Sequence, residues 1–555
     1  MTPVTGSGKL PLVRELLAAL KARGAQAIFG IPGDYALPMF RIMEGNGLLP
    51  LFTLSHEPAV GFAADAAARF SGGIGVAAAT YGAGALNLLN TVAGAYAERS
   101  PLVVLSAAPA LSERGGAFGL HHQSRALDSQ MRIFSEVTCA QAVLDNPGTA
   151  PGEIARVLHA CSMRSLPVYL EIPMDMSQQP IAPVPTIEPR RAEPEAAAAC
   201  AAEIAALVRT AHSPVLMVGI EVRRFGIEAE VSQLADLVNI PVVSSFLGRG
   251  VAAGGPAKIG GTYLGLAGEP TISALVEDSD ALILLGVVLS DTDFGVPANR
   301  LNLRKAVHAA DGQVRVGHHI YPDLPLADLV AALAQHAPAK GQGLTRPVPV
   351  SEKRKRQFVA NDGVIHPSDI AAAINALFAR HGPMPMASDV GDSLFVSFET
   401  DCVDLVAQAY YASMGFAVPA ALGIQGASGK RPLVLVGDGA FQMTGWELGN
   451  CQRYGWDPIV VVLNNQSWEM LRAFEPWARF NDLSDWHFAD IATPLGGTGH
   501  RVRTRRELAQ ALELAHAERG RFQLVEVMLE RGTTSDTLHR FVGAMRERRS
   551  ALAAQ

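Results

Sequence analysis

The sequence predicts an α/β protein built from three doubly wound parallel-sheet domains, and three observations carry that expectation. Continuous Val/Ile/Leu runs alternate with helical patterns along the whole chain, as they do when parallel strands are covered on both faces. At 555 residues the chain is longer than one hydrophobic core supports. Two stretches break the pattern: five prolines fall between Pro180 and Pro194, and residues 338–356 are rich in Gly, Pro and basic side chains. The expected domains are therefore residues 1–182, 195–340 and 360–555, each of ordinary domain size.

In the first domain, Gln26–Gly30 and Leu102–Leu105 read as buried strands and Pro58–Phe70 as a helix. In the second, Val215–Val218 and Ala281–Leu285 are the strand candidates. The clearest strands lie in the third, at Leu433–Val436 and Ile459–Leu463. The uncharged stretch Ile74–Ala97 is long enough to cross a bilayer. Its Asn87, Asn90 and Gly82-Ala83-Gly84 instead predict a buried strand, a tight turn and a buried helix.

Composition narrows the function. A net charge of −7, with Lys353–Arg356 as the one dense basic run and that run in a connector, argues against a nucleic-acid partner. Five scattered cysteines without a CxxC pair fit a reducing compartment, and the charged residues Lys9, Arg14 and Glu15 interrupt any signal-peptide core. The expectation is a cytoplasmic protein with no membrane partner.

The chemistry is concentrated where two strands end. Strand 433–436 runs into Gly437-Asp438-Gly439, and strand 459–463 runs into Asn464-Asn465, with 24 residues between the motifs. A helix around Trp446–Arg453 would complete a right-handed βαβ crossover. Both polar clusters then lie at the carboxyl edge of a parallel sheet, where open α/β folds bind ligands. Mg²⁺ takes oxygen ligands and shares them with a phosphate. Asp438 offers charge, Asn465 an amide oxygen and Ser467 a backbone carbonyl, while Gly437 and Gly439 allow the backbone to turn sharply near a diphosphate. Gly-Asp-Gly alone is an ordinary surface turn; the spaced pair on two strands is not.

This pair resembles the diphosphate-binding motif of thiamine diphosphate-dependent enzymes. The resemblance implies a pyrimidine-binding first domain, a middle domain and a diphosphate-binding third domain, with thiamine diphosphate and Mg²⁺ as cofactors. It also implies a glutamate that hydrogen-bonds the pyrimidine so that the thiazolium can lose its proton. Ser55-His56-Glu57-Pro58-Ala59 matches that position at Glu57. By the same likeness Thr80, Asp392 and Met414 join the cofactor-binding residues, Met414 by propping the cofactor into a bent shape. The family places its cofactor between two subunits, so self-association is implied, most often as a homotetramer.

Further signatures are similar to the pyruvate decarboxylase branch. Gly30-Ile31-Pro32-Gly33-Asp34 matches a catalytic aspartate, and His121-His122 matches an adjacent histidine pair suited to proton transfer. Two positions depart. Where pyruvate enzymes carry a glutamate after the Asn-Asn loop, this chain has Leu471; Glu469, two residues earlier, is expected on another face of the helix. In Gly286-Val287-Val288-Leu289-Ser290-Asp291-Thr292, Thr292 stands where those enzymes carry phenylalanine. Thr292, Leu471, Val287 and Met414 would then line a wide apolar slot, as in bacterial phenylpyruvate or indolepyruvate decarboxylases. The expected reaction is non-oxidative decarboxylation of a 2-oxo acid to an aldehyde and CO₂ through a thiamine diphosphate ylide and enamine. A pyruvate or branched-chain decarboxylase, an acetolactate-synthase-like ligase and an inactive thiamine diphosphate-binding protein are the competing readings. No GxGxxG follows the middle-domain strands, so no dinucleotide is expected there.

Overall fold

A computed structural model describes residues 9–116, 118–249, 251, 259–265, 268–291, 301–336, 357–402 and 404–553. The chain divides into two compact units.

The first unit comprises Met1–Pro189, Val418–Lys430 and Glu447–Trp456. Its six-stranded sheet has the order Leu51–Thr53, Ile28–Gly30, Gly75–Ala79, Leu102–Ala108, Val168–Pro173, Gln141–Val143, and every pairing is parallel. The chain runs to one side after Ile28–Gly30 and returns to the other at Gly75–Ala79, so the strand order reverses between these two. Crevices of this kind receive ligands. Helix Glu57–Ser71 starts with Pro at its second position and ends at Gly72, whose φ of 74° closes it. Its small residues admit close neighbours: a Cβ at Gly423 would lie 2.1 Å from the Ala63 carbonyl oxygen. The uncharged stretch 74–97 forms a strand, a turn and two helices, Ala83–Asn87 and Leu89–Ala97. Among the described residues no helix is long and apolar enough to span a membrane.

The second unit contains two sheets. The middle-domain sheet runs Ile259–Thr262, Val242–Ser244, Pro214–Val218, Ala281–Leu285, Val307–Ala310, Gln313–Val316, His319–Tyr321. Its first five strands are parallel, but the last two pair antiparallel, so this sheet is mixed rather than wholly parallel as expected. The cause is the Asp311-Gly312 turn, with φ of 53° and 71°, which links Ala310 directly opposite Gln313 as a two-residue hairpin.

The third sheet has the order Leu405–Ala407, Met386–Ser388, Leu433–Gly437, Ile459–Asn464, Gln523–Met528, Thr498–Val502, parallel throughout. Its order reverses between Met386–Ser388 and Leu433–Gly437, whose carboxyl ends carry Asp389 and Asp438. The expected helix around Trp446 starts earlier. Asp438 is the first residue of helix Asp438–Thr444, followed by a 3₁₀ segment, Gly445–Asn450, and a short helix, Cys451–Tyr454.

Candidate active site

In the first unit, Glu57 opens its helix and accepts a hydrogen bond from Asn87 Nδ2 at 2.9 Å. Gly84 lies between Glu57 and Thr80: a Cβ there would be 3.5 Å from Glu57 Oε1 and 3.0 Å from Thr80 Cγ2. Thr80 Oγ1 is buried without a partner, so a ligand hydroxyl acceptor or donor is unopposed at that point. The loop before Glu57 is held from below. Ser55 N donates to Glu447 Oε2 at 3.0 Å, and Asn450 Nδ2 donates to both Ser55 Oγ and Glu447. Burial pushes the Glu447 carboxyl up to about 7.

Asp34 follows strand Ile28–Gly30 and meets both histidines: its oxygens lie 3.7 Å from His121 Nε2 and 3.9 Å from His122 Nε2. The side chains of Asp34 and His121 are more than half exposed, at 53% and 64%, and that of His122 about a quarter exposed, at 26%. A left-handed backbone at His122 (φ 62°) and at Gly82 (φ 66°) produces this juxtaposition. At Gly82 a Cβ would sit 2.1 Å from the His122 carbonyl oxygen, so no side chain is possible there. Gly82 N is fixed by Gln130 Oε1 at 2.7 Å, and Gln130 is anchored in turn on Ser106 and Tyr169.

In the second unit, a cavity of about 340 Å³ is lined by Gly437, Asp438, Gly439, Asn465, Ser467 and Met414 at one part of its wall. Asp438 is buried and accepts from Gly439 N (2.8 Å) and Ser467 N (3.3 Å). Burial pushes its carboxyl up to about 6. Asn465 Oδ1 is buried on the same wall and has no hydrogen-bond partner. A buried carboxylate, an unpartnered amide oxygen and a loop carbonyl form a donor set that fits a hard divalent cation carrying a diphosphate. The two glycines do not serve as sharp turns. Gly437 has an ordinary extended backbone (φ −74°) with open space beside it, whereas Gly439 is small because the Trp468 ring would lie 2.3 Å from its Cβ.

Met414 reaches the cavity from a loop fixed by Asp389, which accepts from Gly415 N (3.1 Å) and Ala417 N (2.9 Å). Asp392 also lines the cavity, but its carboxylate is engaged by Ser535 through both the backbone N–H and the hydroxyl. Leu471, half exposed at 53%, lines the same cavity, as do Met470, Phe395 and Phe541. Glu469 does too, and in this the structure corrects the expectation that it faces elsewhere. It is the first residue of helix Glu469–Phe474, where the chain is still leaving the loop and helical-face spacing does not yet apply. Val287 is a second correction: it is fully buried in the middle-domain core with Val243, Tyr263 and Ile272 and is absent from the cavity wall. Thr292 lies outside the described residues.

Sequence reasoning missed Glu447, Asp389, Trp468 and Phe541. Asp389 carried a readable signal, an acid directly after a short apolar strand, as at Asp438. The others follow from tertiary packing and carried none.

Sequence profiles agree with this division of labour. The thiamine pyrophosphate enzyme N-terminal TPP binding domain matches residues 12–133, the central domain residues 201–336 and the C-terminal TPP binding domain residues 389–527. The chain is 54% identical over 535 residues to an indole-3-pyruvate decarboxylase of Azospirillum brasilense, covering 96% of this chain and 98% of that protein. It is 30% identical over 546 residues to an alpha-keto-acid decarboxylase of Mycobacterium avium, covering 95% and 96%. An alpha-keto-acid decarboxylase of Mycobacterium tuberculosis is 29% identical over 544 residues, with 96% of each chain covered.

Proposed function

Because the chain belongs to the thiamine diphosphate-dependent 2-oxo acid decarboxylase family, we propose that it decarboxylates an aromatic 2-oxo acid, indolepyruvate or phenylpyruvate, to the aldehyde and CO₂. The observation that carries the aromatic reading is Leu471. It gives an apolar side chain, beside Met470 and Phe541, to the same cavity that Asp438 and Asn465 line. The name of the 54% identical relative, an indole-3-pyruvate decarboxylase, supports it.

Thiamine diphosphate supplies an electron sink for the pair left behind when the carboxylate departs as CO₂. In this reading Asp438, Asn465 Oδ1 and the Ser467 carbonyl hold Mg²⁺, which neutralises the diphosphate. Met414 would pack against the bound cofactor, and Glu57 would hydrogen-bond its pyrimidine. Asp34, His121 and His122 deliver a proton to the former carboxyl-bearing carbon and assist aldehyde release. Leu471 and Met414 accept the aromatic ring. The domain limits 1–182, 195–340 and 360–555 belong to the same reading.

Self-association completes the proposal, as a homotetramer with active sites between subunits. The two large apolar side chains Trp477 and Phe480 are 94% and 72% exposed in the single chain, in keeping with a contact surface. The five cysteines are all free thiols, in keeping with a cytoplasmic protein.

The test is a side-by-side measurement of kcat/KM with pyruvate, phenylpyruvate, indolepyruvate and benzoylformate, with product analysis. Aromatic substrates are expected to lead by at least tenfold and to yield free aldehyde. Pyruvate leading would overturn the aromatic reading, and a coupled acyloin as main product would overturn simple decarboxylation.

A further inference from the structure

Strand Gln523–Met528 contains one carboxylate, Glu526, that is fully buried between apolar neighbours. It pairs across to Val462 and therefore shares a face with Asn464, the last residue of strand Ile459–Asn464. Its two oxygens have separate duties. Oε1 accepts from Asn464 Nδ2 at 2.6 Å and lies 3.8 Å from Arg501 Nη1, and Oε2 accepts from Ala489 N at 2.9 Å.

Asn464 is also buried, and its amide is used at both ends. Nδ2 donates to Glu526 and, at 3.2 Å, to Asp485 Oδ1, while Oδ1 accepts from Gln466 N at 3.3 Å. That last bond closes a turn around Asn465. Gln466 occupies the left-handed region at φ 56°, a conformation an L side chain adopts only when its surroundings impose it. Its carbonyl oxygen is held from the other side by Leu483 N and Arg531 Nη2, each at 2.9 Å. The turn thus has two anchors, and its products are the unpartnered Asn465 Oδ1 and the Ser467 N–H bonded to Asp438.

We propose that Glu526 is a positioning residue for the divalent cation: by orienting the Asn464 amide it holds the turn at Gln466 and keeps Asn465 Oδ1 directed at the cation site. An isosteric glutamine cannot replace it. Both Glu526 oxygens receive N–H groups, so E526Q would oppose an NH₂ to one of those donors. The inference rests on the assignment of Asp438 and Asn465 as cation ligands.

Mn²⁺ binding in the presence of thiamine diphosphate, followed by electron paramagnetic resonance, tests it without recourse to turnover. E526Q and N464A are each expected to weaken Mn²⁺ binding by at least tenfold, and the double variant to be no worse than N464A alone, because one pathway carries both effects. Folding is monitored by circular dichroism, and N464A carries the same expectation should E526Q not fold. Wild-type Mn²⁺ affinity in either folded variant would overturn the proposal, as would additive losses in the double variant. D438A run in parallel separates the two levels. If D438A loses Mn²⁺ while E526Q keeps it, only the role of Glu526 falls; if D438A binds Mn²⁺ normally, the cation site itself is misassigned.

Discussion

Glu447 carries a charge that its surroundings resist. Its carboxyl is raised from 4.5 to about 7 chiefly because burial removes water from the charged form, against the opposing pull of hydrogen bonds from Ser55 and Asn450. A group whose folded pKa lies above its unfolded one stabilises fully below the unfolded value and loses that contribution as pH rises through the folded value. The first unit should therefore lose stability between about pH 5 and 8, by about 3 kcal/mol for this group. E447Q, which keeps the acceptor but not the charge, should flatten that dependence in thermal melts; an unchanged slope would show that another group is responsible. At Glu57 the expected effect is catalytic. E57Q should retain cofactor binding by calorimetry while turnover falls by about 10²-fold or more, and a wild-type rate would remove Glu57 from the mechanism. These residues also show what a single sequence discloses. Asp438 and Asn465 were readable because a motif with fixed spacing sits on two strong strands. Glu447 was not, because what matters about it is the burial and the Ser55 loop lying hundreds of residues earlier.

Elements were legible where one physical signal dominated. Strands Ala281–Leu285 and Ile459–Asn464 and helix Glu57–Ser71 fall within a residue or two of their expected limits, since continuous β-branched runs and small-residue helical periodicity are hard to mistake. The antiparallel extension of the middle sheet was overlooked although Asp311-Gly312 is a hairpin signal in its own right. The helix expected around Trp446–Arg453 is present as a 3₁₀ segment and a short α-helix that ends at left-handed Gly455 (φ 68°), and a further helix, Asp438–Thr444, precedes it. Helix Asp438–Thr444 depends on Trp468 lying flat against Gly439. G439A should push that ring aside and weaken thiamine diphosphate binding by at least tenfold in calorimetric titrations; unaltered affinity would mean the ring yields freely. Helix Asp536–Ala553 contributes Phe541 to the cavity wall. A lost aromatic contact of a few methylene equivalents, at about 0.8 kcal/mol each, should make F541A lower kcat/KM for indolepyruvate about 10-fold or more and for pyruvate far less. Equal losses would place the ring elsewhere.

Under the proposed function, Asp34, His121 and His122 belong to one unit and Asp438 and Asn465 to the other, and activity requires an assembly of chains. Sedimentation velocity should therefore find at least two chains per particle, and specific activity should fall on dilution in the absence of cofactor; a fully active single chain would refute the arrangement. The division of the chain has a consequence for its birth on the ribosome. The first unit is not finished when Pro189 is made, because Val418–Lys430 and Glu447–Trp456 belong to it. At about 5–20 residues per second, the stretch from residue 189 to residue 456 takes roughly 15–50 s to emerge. For most of that time, until residues 418–430 are made, the small-residue helix around Ala63 waits without Gly423, at which a Cβ would lie 2.1 Å from the Ala63 carbonyl oxygen. A nascent chain in that state lacks part of its first unit, so expression yield should depend on chaperone supply more steeply than the stability of the finished protein would suggest.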